Sequence, residues 1–98
     1  MIVKTHETKN GVIVAVVDKD ILGQKFEEND LQLDLASNYY KGELKTIDEV
    51  GDLIRNAYGV NIVGEQSIRL AIEEGIITEE MIKKIKNIPY YQGTSDLI

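Results

Sequence analysis

The run from Val12 to Val17 constrains the fold most, because it is apolar at every position. Strand residues alternate between two faces, so a run without a polar face predicts a strand that is covered on both sides. Asn10 and Gly11 separate this run from a more polar one, Ile2 to Glu7. Asn-Gly is typical of a type I′ turn, whose two central residues need positive φ. We therefore expect a β-hairpin whose second strand is central in a sheet.

The middle of the chain changes from strand-like to helix-like spacing. The segment from Leu31 to Ala36 alternates apolar and polar residues, which predicts a half-buried strand. Thr46 and Glu49 then form the pattern of a capping box, in which each side chain bonds to the backbone amide of the other residue. We expect a first helix from Ile47 to Tyr58, ended by Gly59.

The segment from Asn61 to Lys86 looks like two helices joined by a tight turn. A second helix is predicted from Gly64 or Glu65 to Glu74, with Gly75 in the left-handed stop position. A third helix is predicted in "TEEMIKKIKN", where Thr78 provides the cap and acids precede lysines, as the helix dipole favours. Pro89 would end that helix.

The spacing of an alanine, a turn glycine and the following apolar residues in this segment also occurs in helix-turn-helix proteins that bind specific DNA sequences. There, the first turn of the second helix points toward bases and phosphates. Glu79 and Glu80 would occupy that turn and repel the phosphates. The sequence therefore favours a structural corner and argues against sequence-specific DNA binding.

Together these elements predict one α+β domain that spans residues 1–98. In it an N-terminal antiparallel sheet, made of the hairpin and further strands, packs against about three C-terminal helices. Residues 89–98 would form a tail that is either ordered by its tyrosines or frayed.

Composition removes several classes of function. The chain has no cysteine, which excludes disulfides, thiolate metal sites and cysteine nucleophiles. His6 is the single histidine, so we predict no metal site, and no motif indicates a cofactor. The net charge of -6 repels phosphate backbones. No apolar run reaches the roughly 18–20 residues of a membrane span, and the N-terminus lacks a signal peptide, so we predict a cytoplasmic protein.

Two pairs of adjacent tyrosines are the main candidates for a binding surface. Tyrosine offers a flat aromatic face at low entropic cost, which suits contacts with bases or with protein partners. In each pair we expect one ring to pack inward and the other to face out, near Lys45 and Lys86. The predicted surface comprises Tyr39, Tyr40, Lys41, Tyr90, Tyr91 and Gln92.

An alternative ligand site would combine polar residues that follow the buried strand and precede the second helix. Asp18 and Asp20 follow the apolar run, where carboxylates can act as general acids or bases or can bond to turn amides. Gly64 precedes a helix whose free amides could hold an anion, or it permits close packing, and Glu65 would repel a phosphate. With Asn61 these residues form the alternative site, provided that their side chains converge in one pocket.

Four segments carry a resemblance to a known family. They are "AVVDKDILG" near the start, "YYKGE", "AYGVNIVGEQSIRLAIEEGII" and "IPYYQ". The most specific parts are Asp18, Leu22 and Gly23 in the first segment and the run from Asn61 to Glu65. On these residues the chain resembles the archaeal family known as domain of unknown function 424. The resemblance implies a small, cytoplasmic, archaeal domain of mixed α and β structure and no established reaction.

These features lead to one main functional prediction. We expect a non-enzymatic binding or adaptor module that uses the tyrosine and lysine surface. Its partner would be a protein or RNA, with a link to translation or RNA handling as a hypothesis, and RNA binding would depend on stacking more than on bulk charge.

Two alternatives stand beside this prediction. The first is a small-molecule enzyme or ligand-binding domain that uses the alternative site. The second is oligomerisation through a sheet edge or an exposed helix face, because the sequence leaves the oligomeric state open.

Overall fold

Eight strands and two α-helices form within residues 1–94, which are the residues that the computed structural model describes. The strands are β1 (Ile2–Thr8), β2 (Gly11–Val17), β3 (Lys25–Glu28), β4 (Leu31–Asp34), β5 (Glu43–Leu44), β6 (Gly59–Val63), β7 (Lys83–Ile85) and β8 (Ile88–Thr94). The helices are α1 (Ile47–Arg55) and α2 (Glu65–Glu73). Short 3-10 turns lie at Lys19–Ile21, Asn38–Tyr40 and Glu79–Met81.

Six strands pair into one mixed sheet in the order β5-β1-β2-β6-β8-β7. Strands β2 and β6 run parallel at its centre, and the other neighbours are antiparallel. Strands β3 and β4 pair with each other in a separate two-stranded sheet. Helices α1 and α2 cover one face of the six-stranded sheet, and the β3–β4 hairpin covers the other. The domain therefore has three layers around two apolar cores.

The alternation of side chains along β2 explains how both faces are filled. Val14 and Val16 pack toward the helices, whereas Ala15 and Val17 pack toward the β3–β4 hairpin. None of the four is more than 1% exposed. From Val14 to Val17 an entirely apolar sequence is stable because neither face meets water, whereas Val12 at the start of the run is 36% exposed. The prediction of a central strand is confirmed, and from Val14 to Val17 the strand is covered on both sides.

The hairpin of β1 and β2 forms, but its turn lies one residue earlier than predicted. Thr8 pairs with Gly11, so Lys9 and Asn10 are the loop residues. Asn10 keeps negative φ, while Gly11 has a φ of 138°. The predicted type I′ turn at Asn10-Gly11 is therefore wrong, and the Asn10 amide instead donates to Thr8 Oγ1 at 3.2 Å.

Helix α1 begins as predicted and ends at Arg55 rather than at Tyr58. The Glu49 amide donates to the Thr46 hydroxyl at 3.2 Å and the Thr46 amide donates to the Glu49 carboxylate at 3.0 Å, so the capping box is confirmed. Gly59, which was predicted to end this helix, is the first residue of β6. All five residues of β6 are buried between β2 and β8. The sequence analysis missed this strand, although a short apolar run bounded by glycines is its signal.

The predicted fold of an antiparallel N-terminal sheet against about three C-terminal helices is wrong, because the third helix does not form. Glu79–Met81 makes a single 3-10 turn and β7 follows it. Lys86 and Asn87, with φ of 51° and 65°, connect the paired residues Ile85 and Ile88 as a two-residue type I′ turn. An isolated helix of this length is marginal, whereas pairing with β8 satisfies the backbone and buries Ile85. The C-terminal half supplies three strands of the sheet, and the sheet is mixed because one of them, β6, pairs with β2 in parallel.

Helix α2 follows its prediction. It spans Glu65–Glu73, and Gly75 has the expected left-handed φ of 75°. Of the tail predicted for residues 89–98, residues 89–94 belong to β8, and residues 95–98 lie outside the described residues. Within residues 1–94, no helix has the length and apolar character that crossing a membrane would need.

Candidate binding cleft

Strand register places two carboxamide side chains side by side on the face that the β3–β4 hairpin covers. Asn61 of β6 pairs directly with Gln92 of β8. Tyr90 is two residues before Gln92, so it lies on the same face of β8. Tyr91 lies between them and packs into the core on the helix face. The pair Tyr90-Tyr91 is therefore split between the two faces of the sheet.

The 3-10 turn before β5 brings a third tyrosine to this site. The Ser37 hydroxyl accepts a hydrogen bond from the Tyr39 amide at 3.0 Å and caps the turn. The turn directs Tyr40 inward, where it is 8% exposed. Its hydroxyl donates to Oδ1 of Asn61 at 3.2 Å. Burial raises the pKa of Tyr40 above the usual tyrosine value.

Tyr39 stacks on the histidine of β1. The rings of Tyr39 and His6 are 4.1 Å apart at an angle of 10°, and Tyr39 meets Tyr40 edge to face at 5.1 Å. Nε2 of His6 lies 3.0 Å from the carbonyl oxygen of Tyr39. Since a carbonyl only accepts, Nε2 carries the proton in this contact. These contacts hold the Tyr39 ring in place at low entropic cost.

Side chains from the β3–β4 hairpin, from the 3-10 turn at Asn38–Tyr40 and from strands β6, β7 and β8 line one cleft between the hairpin and the sheet, with a volume of about 500 Å³. Small-molecule sites commonly measure about 300–1,000 Å³. The side chains that matter for the chemistry of this cleft are Asp34, Tyr39, Tyr40, Asn61, Tyr90 and Gln92. With Gln32, an exposed residue that also lines it, the cleft combines three aromatic rings with three carboxamides and one carboxylate.

Asn61 presents a hydrogen-bond donor to this cleft. The side chain is 8% exposed, and its Oδ1 is bound by Tyr40. Within residues 1–94, every fully buried side-chain nitrogen or oxygen has a hydrogen-bond partner. Nδ2 of Asn61 has no partner in that part of the chain, so this atom must reach the cleft surface. A buried polar side chain with an open donor is the arrangement that a ligand acceptor would complete.

Three lysines line a depression next to the tyrosine turn. They are Lys4, Lys41 and Lys45, and Lys41 directly follows Tyr40. Lys45 contacts Glu43 at 3.5 Å, whereas neither Lys4 nor Lys41 forms an ion pair within residues 1–94. Lys4 shares a row of the sheet with Ala15 and Asn61, so two strand spacings, or about 10 Å, separate Lys4 from Asn61.

The alternative site does not assemble as one pocket. The Asp18 carboxylate lies at the start of α2, where it accepts bonds from the Gln66 amide at 3.0 Å and the Ser67 amide at 2.8 Å. It also accepts a bond from the Ser67 hydroxyl at 2.6 Å. Asn61 faces the cleft on the other side of the sheet. The helix terminus that could have held an anion is therefore occupied by a side chain of the protein itself.

Gly64 makes this arrangement possible. Its φ is 109°, and a Cβ added there would lie 2.3 Å from Cγ of Asp18. Glu65 and Asp20 are exposed, and residues 1–94 contain no cluster of side chains suited to a metal ion. The glycine therefore allows the carboxylate to approach the helix closely.

The cleft mixes residues from both sequence hypotheses. Tyr39, Tyr40, Tyr90 and Gln92 of the predicted surface meet Asn61 of the alternative site. Lys41 lines the adjacent depression, and Tyr91 faces the helices. The sequence analysis missed the role of His6 as a stacking platform. Its position beside the tyrosine turn depends on packing between β1 and residues 38–40, which has no local sequence signal.

Comparisons with known proteins agree with this architecture. The model of a family described as "Protein of unknown function (DUF424)" matches residues 5–94, which confirms the resemblance seen in the sequence. A crystal structure of an uncharacterized conserved protein from Methanopyrus kandleri is similar, with a TM-score of 0.81 and 23% identity. The similarity covers 94% of this chain and 88% of that protein, and it shows the fold alone. No curated protein matches the chain.

Proposed function

This chain belongs to the DUF424 family of proteins of unknown function, and we propose that it is a binding module that holds an unpaired base of single-stranded RNA in the cleft. One observation carries the proposal: three tyrosines and three carboxamides from distant parts of the chain converge on a single cleft. This set of side chains matches the chemistry of a nucleobase.

A base has a flat face and a polar edge, and the cleft offers a partner for each. Aromatic side chains stack on the faces of unstacked bases, while carboxamides bond to their edges. Tyr39 and Tyr90 supply rings that are partly exposed, and Asn61 and Gln92 supply polar atoms. The volume of about 500 Å³ accommodates one base but not a duplex.

The local charge near the cleft is more favourable for single-stranded RNA than the net charge of the whole protein. The net charge is -6, which disfavours long-range attraction of any phosphate backbone. Lys4 and Lys41 nevertheless line the neighbouring depression, which Glu43 and Lys45 also line, and neither of the two forms an ion pair within residues 1–94. Asp34 lines the cleft itself. We therefore expect the phosphates to follow the lysines while the base enters past Asp34.

Fluorescence anisotropy with a labelled single-stranded RNA of mixed sequence tests the proposal. Tyr90 and Tyr91 provide a matched pair, because they are adjacent in β8 and lie on opposite faces of the sheet. Tyr90→Leu should weaken binding by about 5- to 150-fold, the loss expected for one stacked base. Tyr91→Leu should leave the affinity within about twofold.

The dependence of this affinity on salt gives a second measurement. Contacts from Lys4 and Lys41 to two phosphates predict a slope of about −1.4 in a plot of log affinity against log salt concentration. Duplex RNA should bind much more weakly than the single strand. Equal effects of the two tyrosine variants, or no binding of single-stranded RNA, would refute the proposal.

A further inference from the structure

We infer that His6 is a further RNA-binding residue, whose ring nitrogen Nδ1 in its protonated form donates a hydrogen bond to a phosphate of the bound strand. The inference rests on the proposed function, since it adds a contact beside the same cleft. Its consequence is that the protein binds single-stranded RNA more tightly as the pH falls.

The first step is that His6 has one committed ring nitrogen and one open one. Nε2 carries a proton and donates to the carbonyl oxygen of Tyr39 at 3.0 Å. Nδ1 therefore has a lone pair in the neutral ring, and it has no hydrogen-bond partner within residues 1–94. Every fully buried side-chain nitrogen or oxygen in that part of the chain has a partner, so Nδ1 must reach the surface. A proton can add there without breaking the contact to Tyr39.

The second step is the position of His6 beside the residues that the proposed function uses. His6 and Lys4 are two positions apart in β1, so their side chains share the cleft face of the sheet about 7 Å apart. The His6 ring covers one face of the Tyr39 ring, which lines the cleft, so a base stacks on the other face. A strand that leaves this base toward Lys4 passes within reach of the His6 ring.

The charged groups around His6 favour an anion as the ligand of Nδ1. Lys4 is a cation on the same face of β1, the turn contributes the uncharged Tyr39, and β2 places the apolar Ile13 directly opposite His6. Glu7 is adjacent in sequence, but its side chain lies on the other face of the sheet. A protonated His6 without a ligand is repelled by Lys4. A phosphate between them removes this repulsion and accepts a charge-assisted hydrogen bond.

RNA binding and protonation of the ring must then strengthen each other. The complex holds a proton that the free protein has already released over part of the pH range, so the affinity rises as the pH falls through that range. Histidine is the side chain that ordinarily changes charge between about pH 5 and 8. His6 is the single histidine of the chain, so no other histidine contributes to the effect.

Fluorescence anisotropy at about pH 5.5 and about pH 7.5, at one salt concentration, tests the inference. The probe is a labelled single-stranded RNA of mixed sequence with hydroxyl ends, so no terminal phosphate titrates in this range. His6→Phe keeps an aromatic ring against Tyr39 and every carboxylate, including Asp34 in the cleft, so its ratio of affinities is the background. The ratio of the unchanged protein should exceed this background by about 2- to 12-fold, the range of one net hydrogen bond.

His6→Gln is a second variant that does not depend on whether His6→Phe folds. Glutamine retains an amide donor for the Tyr39 carbonyl and has no titrating group, so it should show the same background ratio. Calorimetry at about pH 6.5, in buffers of different ionisation enthalpy, gives an independent measurement. The unchanged protein should take up a fraction of a proton on binding the RNA, and both variants should lack this uptake.

The outcomes separate the two proposals. A ratio in the unchanged protein no larger than in the variants, with RNA binding retained, overturns the inference and leaves the proposed function standing. Weaker binding at the lower pH, relative to the variants, also overturns it, because Nδ1 would then act as an acceptor, for example from a ribose 2′-hydroxyl. Absence of RNA binding at both pH values overturns the proposed function itself.

Discussion

Asp18 and Ser67 bind each other across 49 positions of the chain, and Ser67 donates both its amide and its hydroxyl to the same carboxylate oxygen. The second oxygen accepts from the Gln66 amide. A carboxylate at the first turn of α2 satisfies free amides and complements the helix dipole. Asp18 thereby joins the end of β2 to the start of α2.

Asp18→Asn should lower the free energy of unfolding by about 1–3 kcal/mol, because the NH₂ group of the asparagine would face at least one donor of α2. Urea denaturation measures the loss. Asp20→Asn is the matched control, since Asp20 is exposed and its side chain makes no hydrogen bond within residues 1–94. The control should shift stability by less than about 0.5 kcal/mol. Similar losses in both variants would contradict the assigned role.

Gly64→Ala should destabilise the protein by about 2–6 kcal/mol, because it combines backbone strain with overpacking. The added methyl group would lie 2.3 Å from Cγ of Asp18. Gly75 also has positive φ, but its added methyl would meet nothing within 4 Å. Gly75→Ala should therefore cost only about 1–2 kcal/mol. Thermal denaturation of both variants tests the contrast, and equal costs would show that close approach to Asp18 is unimportant.

The segment after Thr78 shows where local sequence signals and the fold disagree. Its acids, lysines and apolar residues follow helical spacing, so the sequence analysis predicted a helix. The segment is short, however, and only pairing with β8 buries Ile85 and satisfies the strand backbone. Tertiary pairing overrides local propensity here. The sequence of the type I′ turn is also atypical, because its two central residues are Lys86 and Asn87 and not the usual Asn-Gly.

Lys86→Gly distinguishes the turn from a helix by the sign of its effect. In the type I′ turn Lys86 has a φ of 51°, which glycine adopts more readily, so the variant should be more stable by about 1 kcal/mol. In a helix the same change would destabilise by about 1 kcal/mol. The hydrogen bond that the backbone amide of residue 86 donates to the Glu28 carboxylate is retained in the variant. Urea midpoints of the two proteins provide the measurement.

Tyr40 should make the protein less stable at high pH. Burial raises the pKa of its hydroxyl in the folded state, whereas in the unfolded chain it titrates near 10. Above pH of about 10 the unfolded state has therefore released a proton that the folded state keeps. The free energy of unfolding consequently falls as pH rises through this window.

Tyr40→Phe removes this titration and should flatten the alkaline decline in stability. Denaturation midpoints measured across the alkaline range give the comparison. A decline of equal slope in both proteins would show that Tyr40 is not responsible. The absorbance of tyrosinate in the folded protein should likewise show one fewer late-titrating group in the variant.

The binding cleft was partly predictable. The tyrosine pairs stood out because adjacent aromatic residues suit recognition, and Tyr39, Tyr40 and Tyr90 do line the cleft. Tyr91 was grouped with them because β8 was not recognised, and in a strand neighbouring residues face opposite sides. Asn61 was assigned to another cluster for a similar reason, since β6 was missed. Only strand register shows that Asn61 lies beside Gln92.

The parallel pairing of β2 with β6 has a consequence for how the chain folds during synthesis. The N-terminal hairpin leaves the ribosome first, but two strands alone are marginally stable. Its apolar residues on both faces stay exposed until β6, the helices and the β3–β4 hairpin can cover them. Such non-local pairing slows folding and lengthens the time at risk of aggregation. The N-terminal half should therefore depend on the C-terminal half to become stable, although its own sequence has the clearest strand pattern of the chain.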